Sequence, residues 1–494
     1  MPEGEITSAS DRQEAAATGP ELFRPGVNCW RVARAERLAV IIDAQRHFSL
    51  LKQALERAEY SVMLIGWDFD ARVRLEPDRE DASEPDAVGA FLTHLADTRP
   101  HLHIHLLKWD LGVLFALRKG GTPLTVMRWL MHRRIHYRLD TKHPRLSTHH
   151  QKIVVIDDKL AFCGGIDITA ERWDTRGHRD DNPHRVTPWG GDCDPWHDAS
   201  IAVDGEAAKA LGELARYRWA TATGKKLAPP PPGDDTDIWP EDLPPDFRTI
   251  PVAIARTLPK YADRAEVREI ERLYLDVIGQ ARSVIYMESQ YFACRRIAEA
   301  LAARLDEPEG PEIVVINPES ADGWLEEVAM STARTRLCRF LLKRPGHARF
   351  RIYYPVTPGG TPIYVHAKIM IVDDWFLRVG SSNLNNRSMG YDTECDVALT
   401  AESADERRRV VDIRDSLVAE HLNIPVGELR SAPEPSLIAR IERFRAKGGL
   451  VPLDLPEQTD AEKDLADTEL LDPEKPLRFR RNFGRWLRRS IKIR

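Results

Sequence analysis

A short pattern of histidine, lysine and aspartate occurs twice in this chain of 494 residues. The first copy runs His150-Gln151-Lys152, four residues, Asp157, six residues, then Gly164-Gly165. The second runs His366-Ala367-Lys368, four residues, Asp373, six residues, then Gly380-Ser381. One such string is weak evidence, because its residues are common. Two with the same internal spacing, each followed at the same distance by a pair of small residues, point to a duplicated unit. They imply one active site assembled from two halves of the chain, with a chemistry that uses two histidines.

The rest of the sequence repeats around these anchors. Tyr60–Phe69 (YSVMLIGWDF) reads as a buried strand and is matched by Ser283–Phe292 (SVIYMESQYF). His101–Trp109 is matched by Glu312–Asn317 (EIVVIN), and Lys152–Ile156 is an apolar strand leaving the first motif. A helical stretch ends over Gln53–Ala58, Ile270–Ala281 reads as a helix, and Arg349–Tyr354 leads into the second motif. A repeat of roughly two hundred residues is too long for a solenoid. It predicts an α/β fold of two duplicated halves, mixed sheets flanked by helices, packed face to face. The boundaries read as a disordered N-terminus over 1–22, a first half over 23–226, a Pro-rich linker over 227–250 and a second half over 251–425. A helical then acidic segment follows over 426–474, and a basic tail over 475–494.

Bulk numbers narrow the class. A net charge of -6 and a pI near 6.3 argue against general nucleic-acid affinity. The six cysteines form no C-x-x-C pair, which reads as reduced thiols in a cytoplasmic chain and not as a disulfide scaffold or a zinc site. The N-terminus lacks the pattern of a signal peptide, and no segment is apolar enough to span a membrane. Membrane contact is therefore expected to be peripheral. Its candidate is Lys475–Arg494, with nine Lys/Arg and no acid, where Phe479, Phe483, Trp486 and Leu487 share one helical face. A helix docked on the acidic body is the alternative.

If each motif is extended, His150 and Lys152 share a face, as do His366 and Lys368. Two imidazoles and two ammonium groups then meet a common space that suits a phosphate. One histidine attacks phosphorus while the other donates a proton to the leaving oxygen, and water later releases the phosphohistidine. No metal or cofactor is called for, because the lysines supply the positive charge. Carboxylates that fix the histidine tautomers are sought at Asp198, behind the first copy, and at Glu394, behind the second. Asp157 and Asp373 complete the motif and join the catalytic candidates as its third member, although their place at a strand end suits a local structural role.

These motifs resemble those of the phospholipase D superfamily, and the likeness runs from about residue 28 to about residue 425. Neighbouring strings sharpen it: Gly164-Gly165-Ile166-Asp167 with Arg172-Trp173-Asp174, Pro195-Trp196-His197-Asp198, Glu288-Ser289-Gln290-Tyr291-Phe292, and Gly380-Ser381-Ser382-Asn383 with Asn386-Arg387-Ser388-Met389. The resemblance implies two similar α/β halves with the site at their interface. It makes His150 the nucleophile and His366 the general acid/base. It places Lys152, Lys368 and Asn383 on the phosphate with Ser381 as a helper, and Asp198 and Glu394 behind the histidines. Asp167 stands where the commoner pattern has Asn. The implied reaction is hydrolysis of the distal phosphodiester of a glycerophospholipid to phosphatidic acid, with transfer to alcohols, by a compact bacterial-type enzyme without accessory domains. The expected partners are a phospholipid and a membrane surface, with no nucleic acid, and the chain is expected to be a monomer. A cardiolipin synthase-like phosphatidyltransferase is the alternative. A nucleic-acid phosphodiesterase ranks lower, and a non-catalytic lipid-binding protein is disfavoured by the intact motifs. Residues 175–191 offer His, Arg and Trp side chains as candidates for the pocket entrance.

Overall fold

The computed structural model describes residues 22–79, 85–110, 122–231, 236–320 and 324–455. The N-terminal stretch read as disordered lies outside these residues except for Leu22, as do the acidic run from 456 onward and the basic tail over 475–494.

The first half contributes β1 (Arg31–Ile42), β2 (Ser61–Gly66), β3 (His103–Trp109), β4 (Ile135–Asp140), β5 (Ile153–Ile156), β6 (Leu160–Gly164), β7 (Trp196–His197) and β8 (Ala199–Asp204). The second contributes β9 (Phe247–Leu258), β10 (Val267–Arg268), β11 (Val284–Glu288), β12 (Glu312–Ile316), β13 (Phe350–Pro355), β14 (Tyr364–Val365), β15 (Ile369–Val372), β16 (Phe376–Gly380), β17 (Glu394–Thr400) and β18 (Leu450–Pro452). Among the described residues these form one 16-stranded sheet and a separate β7·β14 pair. From the central antiparallel pair β1·β9, the order outward is β8, β6, β5, β2, β3, β4 on one side and β17, β16, β15, β11, β12, β13 on the other. The two lists match strand for strand, so the duplication seen in the sequence is a duplication of topology. In each half the strand pairs β2·β3 and β3·β4, or β11·β12 and β12·β13, are parallel, and the inner pairs are antiparallel.

The mixed α/β architecture agrees with the sequence reading, with one addition. The halves share an apolar core that includes Ile153, Val155 and Cys163 from the first and Ile369, Ile371 and Cys395 from the second. Their sheets are also continuous edge to edge through β1·β9. The sequence reading did not find that pair, because the strand Arg31–Ile42 opens with Arg31, Arg34, Glu36 and Arg37 and reads as surface. Strand β9 begins at Phe247, inside the span taken as linker. Part of that span packs on the first half: Ile238, Trp239 and Leu243 enter a core cluster with Phe48 and Leu51. Beyond residue 425, helix Leu437–Arg445 buries Leu437, Ile441 and Phe444, and β18 extends the sheet at β13.

The two motif aspartates show how closely the repeat is kept. Strands β5 (IVVI) and β15 (IMIV) are wholly buried β-branched-rich runs, and each ends in an aspartate with φ 52°. Asp157 accepts the backbone N–H groups of Glu59, Tyr60 and Ser61, at 2.7, 2.9 and 2.6 Å. Asp373 accepts those of Arg282, Ser283 and Val284, at 2.9, 2.7 and 2.8 Å. Each carboxylate thus satisfies the amides at the start of the neighbouring strand, β2 or β11, at the strand end remote from the histidines. This corrects their inclusion among the catalytic candidates, because both act as fasteners of the sheet.

Truncating such a carboxylate strands three amides. Asp157→Ala is expected to lower folding stability by about 2–4 kcal/mol in chemical denaturation, and Asp373→Ala by a similar amount. A loss within the error of the measurement at both positions would contradict the fastener role.

Candidate active site

The histidines sit just before β5 and β15, in extended segments that pair across the two halves. His149 bridges Thr393, and the His150 amide donates to the Thr393 carbonyl at 3.0 Å. Reciprocally, Val365 in β14 pairs with His197 in β7, and the His366 amide donates to the His197 carbonyl at 2.7 Å. Each histidine is therefore tied to the residue that precedes a carboxylate of the other half.

That backbone crossing decides the side-chain partners. Nδ1 of His150 lies 3.0 and 2.9 Å from the two oxygens of Glu394, and Nδ1 of His366 lies 2.7 Å from Asp198 Oδ2. The sequence reading set Asp198 behind the first motif and Glu394 behind the second; the structure exchanges them. Both carboxylates are fully buried, and burial pushes each up to about 7. Burial and the nearby lysines hold both histidines well below the ordinary imidazole value. A neutral imidazole whose Nδ1–H is donated to a carboxylate presents its Nε2 lone pair to the site.

Local sequence explains how the carboxylates reach these positions. A Cβ on Gly165 would lie 2.1 Å from Asp198 Oδ1, so only glycine lets that carboxylate approach. Glu394 is held by Ser388 Oγ at 2.7 Å and by the Ser381 hydroxyl, which also accepts the Cys395 amide at 3.0 Å. Ser381, read from the sequence as a phosphate helper, is wholly buried and spends its hydroxyl on Glu394, so it orients the carboxylate.

The lysines turn toward the same space and are not equivalent. Lys152 Nζ donates to the His150 carbonyl at 3.2 Å and pairs with Asp167 Oδ2 at 3.2 Å. Asp167 also accepts the Trp67 amide at 3.0 Å, so the aspartate at the usual Asn position serves as a lysine partner and loop anchor. Lys368 donates to the His366 carbonyl, and burial pulls its ammonium down to about 7. Its charge is felt by both carboxylates and both histidines. Asn383 is 3% exposed; its amide reaches Gln290 Oε1 only at 3.5 Å, and its own oxygen has no hydrogen-bond partner among the described residues.

Several residues that the sequence reading gave no role complete the site. Arg172 lies over the Trp196 ring at 3.9 Å, and that ring stacks on Tyr364 at 4.6 Å and lies 5.2 Å from the His366 ring. Arg172 adds a third cation to the field around His366 and Lys368. Both Arg172 and Trp196 stand in strings that the resemblance singled out, which was the available signal. The 175–191 stretch differs from expectation: His178 and Arg185 are buried against Asp174, not turned to an entrance, while Trp189 is 53% exposed.

Comparisons with known proteins give likenesses at the level of family and fold. Residues 274–411 match a family model described as "Cardiolipin synthase, PLD-like domain". The chain is 23% identical to phospholipase D alpha 1 of Vigna unguiculata over 77% of its own length and 64% of that protein's. It is 25% identical to phospholipase D delta of Arabidopsis thaliana, covering 56% of this chain and 48% of that one. The chain thus spans about half to two thirds of these relatives. In fold it is similar to a crystal structure of phosphatidylserine synthase from Haemophilus influenzae Rd KW20, with a TM-score of 0.55 at 13% identity, covering 85% of this chain and 97% of that one. A paired motif, a duplicated mixed sheet and these likenesses together support the phospholipase D superfamily, with the family-model match confined to residues 274–411.

Proposed function

We propose that the chain is a phospholipase D that cleaves the distal phosphodiester of glycerophospholipids through a phosphohistidine and also transfers the phosphatidyl group to alcohols. The observation that carries this reading is the pair of crossed imidazole–carboxylate contacts, His150 to Glu394 and His366 to Asp198, around two lysines. The likeness to plant phospholipases over most of the chain supports the lipid substrate, and the asymmetric first motif with Asp167 supports the hydrolase over the phosphatidyltransferase. The basic tail over 475–494 is assigned to the membrane surface.

The chemistry follows from the charges. An incoming phosphodiester anion is held by Lys152, Lys368 and Arg172, with the buried Asn383 side chain as a further contact. His150, the more open histidine at 14% side-chain exposure against 8% for His366, attacks phosphorus through Nε2. The bond from phosphorus to the head-group oxygen breaks, and that oxygen takes a proton from His366. The anion raises the His366 pKa on binding, which lets it arrive protonated despite its burial. In the second step His366 removes a proton from water, the hydroxyl attacks phosphorus, and the phosphorus–nitrogen bond to His150 breaks. An alcohol in place of water gives transfer.

Four measurements test this. Labelled phosphatidylcholine with and without ethanol is expected to yield phosphatidylethanol and phosphatidic acid. His150→Ala and His366→Ala should each cost about a thousandfold or more. Cleavage of DNA with no phospholipid turnover would overturn the reading. Glu394→Gln is expected to lower kcat by about 10²–10⁴-fold with KM little changed, because it unsettles the tautomer and leaves the cations in place. For pH, Glu394 takes up a proton below about 7 and no longer holds His150, whereas Lys368 loses its charge above about 7 and binds the anion less well. Rate is therefore lost on both sides, and kcat/KM should peak near neutrality. A flat profile from acid to alkaline pH would contradict these assignments.

A further inference from the structure

Behind the Asp198 carboxylate lies a buried cluster that the proposed reaction does not use. Asp43 and His197 are fully buried, His178 is 2% exposed, and the Glu420 side chain is 3% exposed. Three come from the first half, and Glu420 comes from helix Ala404–His421 of the second. One donor atom from each lies within 4.8 Å of all the others. The closer separations are His197 Nδ1 to Glu420 Oε1 at 3.0 Å, His197 Nδ1 to Asp43 Oδ1 at 3.2 Å, His178 Nε2 to Glu420 Oε1 at 3.4 Å and His178 Nε2 to Asp43 Oδ2 at 3.6 Å. Among the described residues Asp43 Oδ2 and His197 Nδ1 have no hydrogen-bond partner, and both point into this cluster.

We infer that Asp43, His178, His197 and Glu420 form a closed, structural zinc site. Bonds of about 2.0–2.1 Å in a tetrahedron put its donors about 3.3 Å apart; Glu420 Oε1 lies 3.0 and 3.4 Å from the two imidazoles, and Asp43 offers one oxygen to each of them, at 3.2 and 3.6 Å. The outer atoms are arranged as metal-bound groups require. His178 gives its other nitrogen to Asp174 at 3.0 Å, and His197 gives its other nitrogen to Glu288 at 2.8 Å. Such carboxylates fix the tautomer that presents a lone pair to a metal. Glu420 keeps its second oxygen on Arg176. Two imidazoles with two carboxylates suit zinc and balance its charge, whereas calcium gathers six to eight oxygens and magnesium an octahedron rich in water.

The placement gives the ion a purpose. The Asp43 amide donates to the Asp198 carbonyl at 2.8 Å, and the Asp198 amide donates to Asp43 Oδ1 at 3.1 Å. The ion therefore braces the segment that carries the His366 partner and clamps a second-half helix to the first half. It takes no part in the transfer of phosphorus.

The 494-residue chain, prepared without a polyhistidine tag from zinc-supplemented medium, is expected to hold about one zinc per chain by mass spectrometry. Its zinc absorption edge should show a nitrogen/oxygen shell with imidazole scattering. His178→Gln should lose the metal and several degrees of Tm, while His366→Ala keeps it. If His178→Gln does not fold, the absorption spectrum of the native protein decides. The site is refuted by a sulfur-containing shell, by a His178→Gln protein that keeps its zinc, or by a native protein that binds none and gains no Tm from added zinc. The last result would mean that protonated histidines neutralise the cluster.

Discussion

The structure depends on one reciprocal crossing of backbone. The amide of each motif histidine bonds to the carbonyl before the other half's carboxylate, at 3.0 Å for His150 and 2.7 Å for His366. From that contact follow the tautomers of both imidazoles, the burial of Glu394 and Asp198, and the convergence of both lysines. Neither half holds a complete catalytic pair. A chain of this design gains little from either half folded alone, which gives a physical reason for the continuous β1·β9 junction and the shared core beneath the site.

Burial does the electrostatic tuning. Inside the cluster the carboxylates are pushed up, the histidines down and Lys368 down, each chiefly by loss of water. A phosphodiester anion favours protonation, so the histidines and Lys368 regain charge as it binds, and binding and protonation are coupled. The hydrogen bonds that hold the carboxylates keep the geometry ready for that change, and the glycine at 165 leaves the room in which Asp198 works.

Much of this was legible in the sequence, and the remainder was hidden for identifiable reasons. The spacing of the motifs announced the duplication, and the strands at 61–66, 103–109 and 153–156 fall where the apolar runs lie. What a repeat cannot reveal is exchange: equivalent positions in two halves look the same whether partners pair within a half or across. The role of Ser381 was missed because a hydroxyl beside a motif gives no sign of which oxygen it serves. His178 reads as a candidate for the pocket entrance in a polar loop, and its carboxylate neighbours Asp43 and Glu420 lie far from it in the chain. Cysteine spacing is silent about a set made of histidines and acids.

The crossing itself is most directly tested by nuclear magnetic resonance of histidine-labelled protein, with the Nδ1–H signals assigned from the His150 and His366 variants. Glu394→Gln is expected to displace the His150 signal and leave that of His366 in place, and Asp198→Asn is expected to do the converse. Each substitution moving the histidine of its own half instead would contradict the crossed site.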